Sequence, residues 1–276
     1  MKTWLVIDMN YLCHRAFHST GNLTYQDVDT GVVFGVIREL IALRDLFNPK
    51  RFIFCFDSGK NLRREKYPKY KQGRRKRRRE MDEDARAAYD GMKRQICVLR
   101  FDVLKSVGFS NVFWQIGFEA DDIIAAITQK RPTSVAMIMV GADHDLYQLL
   151  VGQSVIMWNI NTHKMVNARS FSEEYGVTPS QWADVKAIAG CSSDDVQGVK
   201  GVGEKTACKY LNGTLKTGKK FEDIVAKTNI WQRNLELVRL PMEGTVRPVT
   251  RPDKVHRAKW AKMCRKYGFK TLEREW

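Results

Sequence analysis

The sequence predicts an α/β fold, a mostly parallel central sheet flanked by helices, followed by a smaller helical region. Three observations predict it. Short apolar runs that end in a carboxylate recur along the first half of the 276 residues, helix-like stretches alternate with them, and the alternation stops near Gly176. The first run, Trp4-Leu5-Val6-Ile7, meets Asp8. The second, Phe52-Ile53-Phe54-Cys55-Phe56, meets Asp57. The third, Val135-Ala136-Met137-Ile138-Met139-Val140, passes through Gly141 and Ala142 into Asp143. Unbroken apolar runs suit strands covered on both faces, because a strand with one wet face alternates instead. Apolar residues at helical spacing mark 32–47, 85–107 and 120–128 as the intervening helices. Beyond Gly176, one helix is expected to open at Pro179 and another to span 204–211.

A chain of this length can bury a sizeable core. Its 47 lysines and arginines against 31 acids give a formal net charge of +16. That balance points to a polyanionic partner, nucleic acid first and an anionic membrane second. No apolar run approaches the roughly 20 residues that span a bilayer, and the opening segment reaches Asp8 too soon to form a signal sequence. A cytoplasmic protein without membrane contact is expected. The cysteines at 13, 55, 97, 191, 208 and 264 include no C-x-x-C pair, so reduced thiols are expected in place of a zinc knuckle or a disulfide framework.

Between Lys60 and Arg79 stand a dozen basic residues, interrupted by Tyr67, Pro68, Tyr70 and Gly73 and followed by Glu80, Asp82, Glu83 and Asp84. A run of like charge is ordinarily a solvated face. Here the two tyrosines favour single-strand binding, with rings stacking on bases while Lys and Arg hold phosphates. The acids that follow suit a helix start.

In open parallel sheets, ligands bind beyond the carboxyl ends of the strands, where Asp8, Asp57 and Asp143 fall. One Asp in such a place is ordinarily a turn former or a helix cap. Three at one edge, joined by Glu119, Asp121 and Asp122 at a helix start and by Asp145, amount to more than capping. Glu119 and Asp122 can share one face of their turn, while Asp121 points elsewhere. Asp143 and Asp145 lie on one side of an extended chain, which turns His144 away. Carboxylates so crowded repel one another unless a cation is present, and oxygen-only ligands select Mg²⁺ or Mn²⁺ over zinc. The chemistry that fits is in-line phosphoryl transfer by metal-activated water.

Three stretches carry a family resemblance: Phe118-Glu119-Ala120-Asp121-Asp122, Ala142-Asp143-His144-Asp145-Leu146-Tyr147-Gln148-Leu149, and the run from Gly190 to Ala207 containing Gly198-Val199-Lys200-Gly201-Val202-Gly203-Glu204-Lys205-Thr206. They resemble the 5′–3′ exonuclease and flap endonuclease family, found as the 5′-nuclease domain of bacterial DNA polymerase I and as stand-alone phage exonucleases. The match keeps the family's order from Asp8 to about Leu211. It implies a PIN-like nuclease core over 1–175 that includes a basic helical arch at 60–106. It also implies a helical DNA-binding region over 176–276 with a helix-three-turn-helix element at 190–211.

The resemblance further implies a first metal site from Asp8, Asp57, Glu119 and Asp143 with a share of Asp121, and a second from Asp121, Asp122, Asp145 and Asp194. The family's second site also uses an Asp directly after the Gly of a G-D-x-x-D stretch. Here that position is Cys191, a poor ligand for a hard ion, so the second ion is expected to bind weakly. Arg63, Lys71 and Arg74 match arch positions implied to neutralise the scissile phosphate, and Tyr70 matches an aromatic that steadies the strand. Lys200, Gly201, Gly203, Lys205 and Thr206 fall in the glycine-rich turn implied to grip duplex phosphates, with K⁺ bound there. The expected activity is 5′–3′ exonucleolytic hydrolysis of phosphodiesters, extending to 5′ flaps, on DNA ends or RNA primers. Two rival readings are a DNA-structure-binding protein with weakened catalysis, for which Cys191 speaks, and a PIN-like ribonuclease that shares the acidic sheet edge.

Overall fold

The computed structural model describes residues 2–276. Six strands form the central sheet, in the spatial order Val112–Phe113, Arg51–Cys55, Lys2–Asp8, Val135–Gly141, Val155–Asn159 and Lys164–Val166. Neighbours run parallel throughout except for the last, which returns antiparallel at the edge. The three apolar runs read from the sequence are thus the three central strands, with Ile7 opposite both Phe54 and Val140.

Their unbroken apolar character has the anticipated cause. Leu5, Ile7, Phe52, Phe54, Ile138 and Val140 belong to the core on one face, and Trp4, Val6, Ile53, Cys55, Met137 and Met139 to the core on the other. Strand side chains alternate faces, and both faces are dry. The first is covered by helices Met9–Thr20 and Gly31–Phe47, by a long helix beginning at Glu83, and by Arg257–Lys266. The second is covered by Ala120–Gln129, Trp182–Ala189 and Glu204–Leu211.

The basic segment and its acidic sequel fold as local propensity dictates. Lysine and arginine are good helix formers, and Leu62–Lys66 and Gln72–Arg79 are helices, the latter with no buried residue. Asp82 then caps the long helix by accepting from Ala85 N at 2.8 Å, with Glu83 and Asp84 in its first turn. That helix runs α over Glu83–Val98, widens to a π turn at Leu99–Val103 and resumes at Leu104–Val107. It stops at Gly108, whose φ of +111° suits glycine, and where an added Cβ would lie 2.0 Å from the Lys254 carbonyl oxygen.

The helix expected to open at Pro179 begins there as a single 3₁₀ turn and continues as Trp182–Ala189. The boundary expected near Gly176, however, does not separate two cores. Trp182, Val185, Ala207 and Ile224 pack in the same core as the 120–129 helix and the sheet. The chain end returns to the opposite face, where Trp260 is fully buried and Asp253 accepts from Phe52 N at 2.8 Å and from Ser110 N at 2.9 Å. The region assigned to 176–276 therefore contributes to both faces of the sheet. Among the described residues, no helix is long and apolar enough to cross a membrane.

Candidate active site

The parallel strands end at one edge, and there the chain turns repeatedly through an acid. Asp8 is the last residue of its strand and caps the next helix, its Oδ1 accepting from Tyr11 N at 3.0 Å. Asp57 follows its strand by two residues. Its Oδ1 accepts from Ala120 N at 2.8 Å, which fixes it against the helix that bears Asp121, while its own N–H donates to Asn10 Oδ1 at 3.0 Å. Asp143 follows Gly141 by two residues and caps the 3₁₀ helix His144–Leu149 through Asp145 N at 2.9 Å. Asp121 stands in the first turn of Ala120–Gln129, and its Oδ1 is buried without a hydrogen-bond partner. The extended chain expected at 143–145 is instead the start of the 3₁₀ helix His144–Leu149, and the His144 ring stacks on Tyr147 with centroids 4.8 Å apart.

These four carboxylates crowd one another without a protein cation in ion-pair contact among the described residues. The protons respond accordingly. Burial, then repulsion from Asp57, pushes the Asp8 carboxyl up to about 7. Burial, then Glu119, pushes Asp57 up to about 6, with Lys71 acting against the rise. Burial and the charges of Asp143, Asp8, Glu119 and Asp57 push Asp121 well above the usual carboxylate range. A buried, partnerless carboxylate oxygen amid three further acids offers the oxygen donors that a hard divalent cation takes.

The neighbouring acids are treated differently. Asp122 is fully buried and receives four hydrogen bonds: Arg63 NH1 at 2.6 Å and Glu119 N at 3.1 Å on Oδ2, Arg63 NH2 at 2.7 Å and Met242 N at 2.8 Å on Oδ1. A carboxylate has about four acceptor positions. All are filled, so the expectation that Asp122 ligates the second ion is corrected: it is a structural partner of a buried guanidinium. The same contacts correct Arg63, which was expected to meet the scissile phosphate. It is 2% exposed and also donates to the Leu237 carbonyl at 2.7 Å. Tyr70 was expected to present its ring to a strand. It is 4% exposed, and its hydroxyl donates to Glu119 Oε2 at 2.7 Å and lies 3.0 Å from Asp194 Oδ2.

Lys71 and Arg74 do stand at the rim of the cluster. Lys71 has a left-handed φ of +52°, its N–H donates to the Asp194 carbonyl at 2.8 Å, and its ammonium pairs with Glu119 and, at 3.6 Å, with Asp194. Arg74 donates to Asp194 Oδ1 at 2.7 Å, and Gly73 N donates to Asp195 Oδ2 at 2.8 Å. Residues 70–74 are thereby pinned to the 193–195 loop. Burial would raise the Glu119 carboxyl, but Lys71 and Arg63 outweigh it and hold Glu119 low.

Asp145, Cys191 and Asp194 bring one ligand atom each within 4.8 Å of one another, so only Asp145 and Asp194 of the four acids expected at the second ion meet there, beside the Cys191 thiol. Two features weaken the group. Burial raises the Cys191 thiol, which keeps it protonated and neutral. Lys186 Nζ lies 3.1 Å from Asp145 Oδ1 and 3.0 Å from Glu204 Oε1. Lys186 went unread in the sequence. A lone lysine in the apolar run Val185-Lys186-Ala187-Ile188 was the available signal, because a buried ammonium needs acids nearby.

The glycine-rich turn begins at Gly198, after the short strand Val196–Gln197 that follows Asp194. Gly201 has a φ of +76° with open space at its Cβ position, Gly203 caps Glu204–Leu211, and Lys200 and Lys205 are exposed. Thr206 sits in the first turn of that helix.

Comparison with known proteins settles the ancestry. The family model described as 5′-3′ exonuclease, N-terminal resolvase-like domain, matches residues 3–176. The chain belongs to this family. Among curated relatives, a Bacillus subtilis 5′-3′ exonuclease is 32% identical over 220 residues, covering 75% of this chain and 69% of that protein. The thermostable DNA polymerase I of Thermus thermophilus is 30% identical over 247 residues, covering 87% of this chain but 28% of the polymerase. Among solved structures, a bacteriophage T5 D15 flap endonuclease variant, in a pseudo-enzyme-product complex with DNA and metal ions, has a TM-score of 0.74 at 23% identity, covering 87% of this chain and 90% of that one. T5 5′-exonuclease with bound zinc ions gives a TM-score of 0.73 at 21% identity, covering 100% of each. These structural likenesses establish the shared fold.

Proposed function

We propose that the protein is a divalent-metal-dependent 5′–3′ exonuclease that also cuts 5′ flaps, hydrolysing phosphodiesters near DNA 5′ ends. The observation that carries this reading is the set Asp8, Asp57, Asp121 and Asp143, four carboxylates from different elements at one sheet edge with no cation in ion-pair contact among the described residues. Mg²⁺ or Mn²⁺ is the ion such oxygen donors select. When bound, it supplies Lewis acidity at a phosphodiester oxygen and lowers the pKa of water.

The chain's own residues do the rest. Lys71 and Arg74 hold positive charge beside the cluster, where a scissile phosphate can exchange for Glu119 and Asp194 as their partner. Arg63 and Asp122 fix the base of the segment that carries them. The open backbone around Gly201 and Gly203, flanked by Lys200, Lys205 and Thr206, suits a duplex phosphate, and K⁺ beside it. Asp145, Cys191 and Asp194 offer a second, weaker cation site. Cleavage of an end-labelled 5′-flap DNA with Mg²⁺ or Mn²⁺ tests the reading. Cutting that Asp143→Ala abolishes is expected. Absence of cutting with either ion, with flap binding intact, would replace the nuclease reading with one of structure binding alone.

A further inference from the structure

The sequence led to Tyr67 and Tyr70 as rings for stacking on bases, but Tyr70 is buried and Tyr67 is half-buried, packed against the small core that contains Ala187, Val196 and Leu237. The exposed rings lie elsewhere. Phe101, in the π turn of the long helix, is 52% exposed, and Trp114, just past the edge strand, is 37% exposed. Their centroids are 5.1 Å apart at 79°. Ile116 beside them is 75% exposed. Large apolar side chains left in water together mark a surface that meets something.

Two cations belong to this patch. Arg100 places its guanidinium carbon 4.6 Å from the Phe101 centroid and 5.4 Å from that of Trp114, and Lys105 Nζ lies 5.1 Å from the Trp114 centroid. Arg100 also connects the patch to the acids, because its NH1 donates to the Asp57 carbonyl at 3.1 Å. The loop that carries Trp114 and Ile116 reaches Glu119 within three residues. It is held by Gly117 N donating to Ser58 Oγ at 2.9 Å, by Leu62 N donating to the Gly117 carbonyl at 2.9 Å, and by Gln115 bonding to Gly244 and Val246. Gly117, at φ +93°, leaves no room for a Cβ against Leu62 Cγ at 2.7 Å. The rings are therefore held in fixed register with the acidic cluster.

We propose that Phe101 and Trp114 form a stacking platform for unpaired bases of the strand whose backbone crosses the acidic cluster, with Arg100 and Lys105 offsetting its phosphates. Single-stranded nucleic acid is the occupant that matches both properties of the patch. Paired bases cannot offer their faces to an edge-on ring pair, whereas unpaired bases stack on any aromatic, and flanking cations hold the backbone. The platform rests on the nucleic-acid reading of the site and adds to it where the strand lies and what makes its single-strandedness count.

Binding in EDTA, where no cleavage intervenes, tests this. Fluorescence anisotropy of the whole protein with a labelled oligo(dT) and with a labelled blunt duplex compares wild type, Trp114→Ala, Phe101→Ala and Trp114→Phe. Trp114→Ala and Phe101→Ala are each expected to weaken single-strand binding about tenfold to a hundredfold, equally at low and high salt, and to leave duplex binding unchanged. Trp114→Phe should restore most of the loss, which separates stacking from a folding defect. Unchanged single-strand binding would overturn the platform and assign the aromatic face to a protein partner. Equal weakening for duplex and single strand would also overturn it. Wild-type protein that bound neither DNA would overturn the nucleic-acid reading itself.

Discussion

Asp121 and Asp122 are adjacent in one helical turn, yet one keeps a buried oxygen with no partner while the other receives four hydrogen bonds. The contrast extends to the whole cluster. Along the strand ends, Asp8, Asp57, Asp121 and Asp143 face one another without a counter-ion. Along the rim that meets residues 63–74 and the 182–204 segment, four acids have a side-chain cation: Arg63 for Asp122, Lys71 for Glu119, Arg74 for Asp194 and Lys186 for Asp145. Similar residues therefore do opposite things. The strand-end set repels itself, which under the proposed function a bound cation would relieve, and the rim set is paired from within.

The largest expected effects break this contrast directly. Asp121→Asn removes a ligand and a repelling charge, so activity should fall by about a thousandfold or more, ~4 kcal/mol of transition-state stabilisation, while the melting temperature holds or rises. Asp122→Asn leaves the buried Arg63 charge with only its 3.3 Å ion-pair contact to Glu119 and should cost about 3 kcal/mol of folding stability. Thermal melts and a cleavage assay on both variants suffice. A stable Asp122→Asn protein with an unstable Asp121→Asn partner would reverse the assignment.

A smaller effect follows from protonation. Asp8 and Asp57 have folded-state values raised from 3.8 to about 7 and about 6. The folded state then binds more protons than the unfolded one across that interval, so stability is full below pH 4 with respect to these groups and is lost as pH rises towards 7. For metal-free protein a decline on the order of 2 kcal/mol is expected between pH 4.5 and 7.5, once solvent screening at the open cleft is allowed for. Mg²⁺ should restore it at pH 7.5 and do little at pH 4.5. Denaturant titrations at both values check this, and a metal-free protein that grew more stable across the interval would contradict the repulsive set.

The smallest effect sharpens the rim. Cys191→Asp supplies a third carboxylate beside Asp145 and Asp194, and Lys186→Met removes the ammonium that competes for Asp145. Calorimetric Mn²⁺ titration should show one tight ion in the wild type and, in the double variant, a second one about tenfold tighter than before. An unchanged second affinity would show that neither residue limits it.

Much of this was legible before the fold was known. The strands could be read because burial on both faces leaves an unbroken apolar run, and the acids that follow them could be read because a parallel sheet delivers all its strand ends to one edge. The helix over 85–107 was readable from spacing, although its π turn, which sets the direction of Phe101, was not. Arg63 and Tyr70 misled because a basic, aromatic-rich segment looks solvated when its partners are distant in sequence. Their partners at Asp122, Glu119, Asp194 and Leu237 lie 49 to 174 residues away.

The sequence by itself therefore determined the sheet, the acidic edge, the excess of positive charge and the family. Each of these depends on local pattern or on residue type, which need no knowledge of who meets whom. Only the tertiary structure decided which acids stay free to hold a cation. That depends on which lysine or arginine arrives within about 4 Å of which carboxylate, and at that range a bonded pair and a repelling pair differ by contacts that no spacing along the chain encodes.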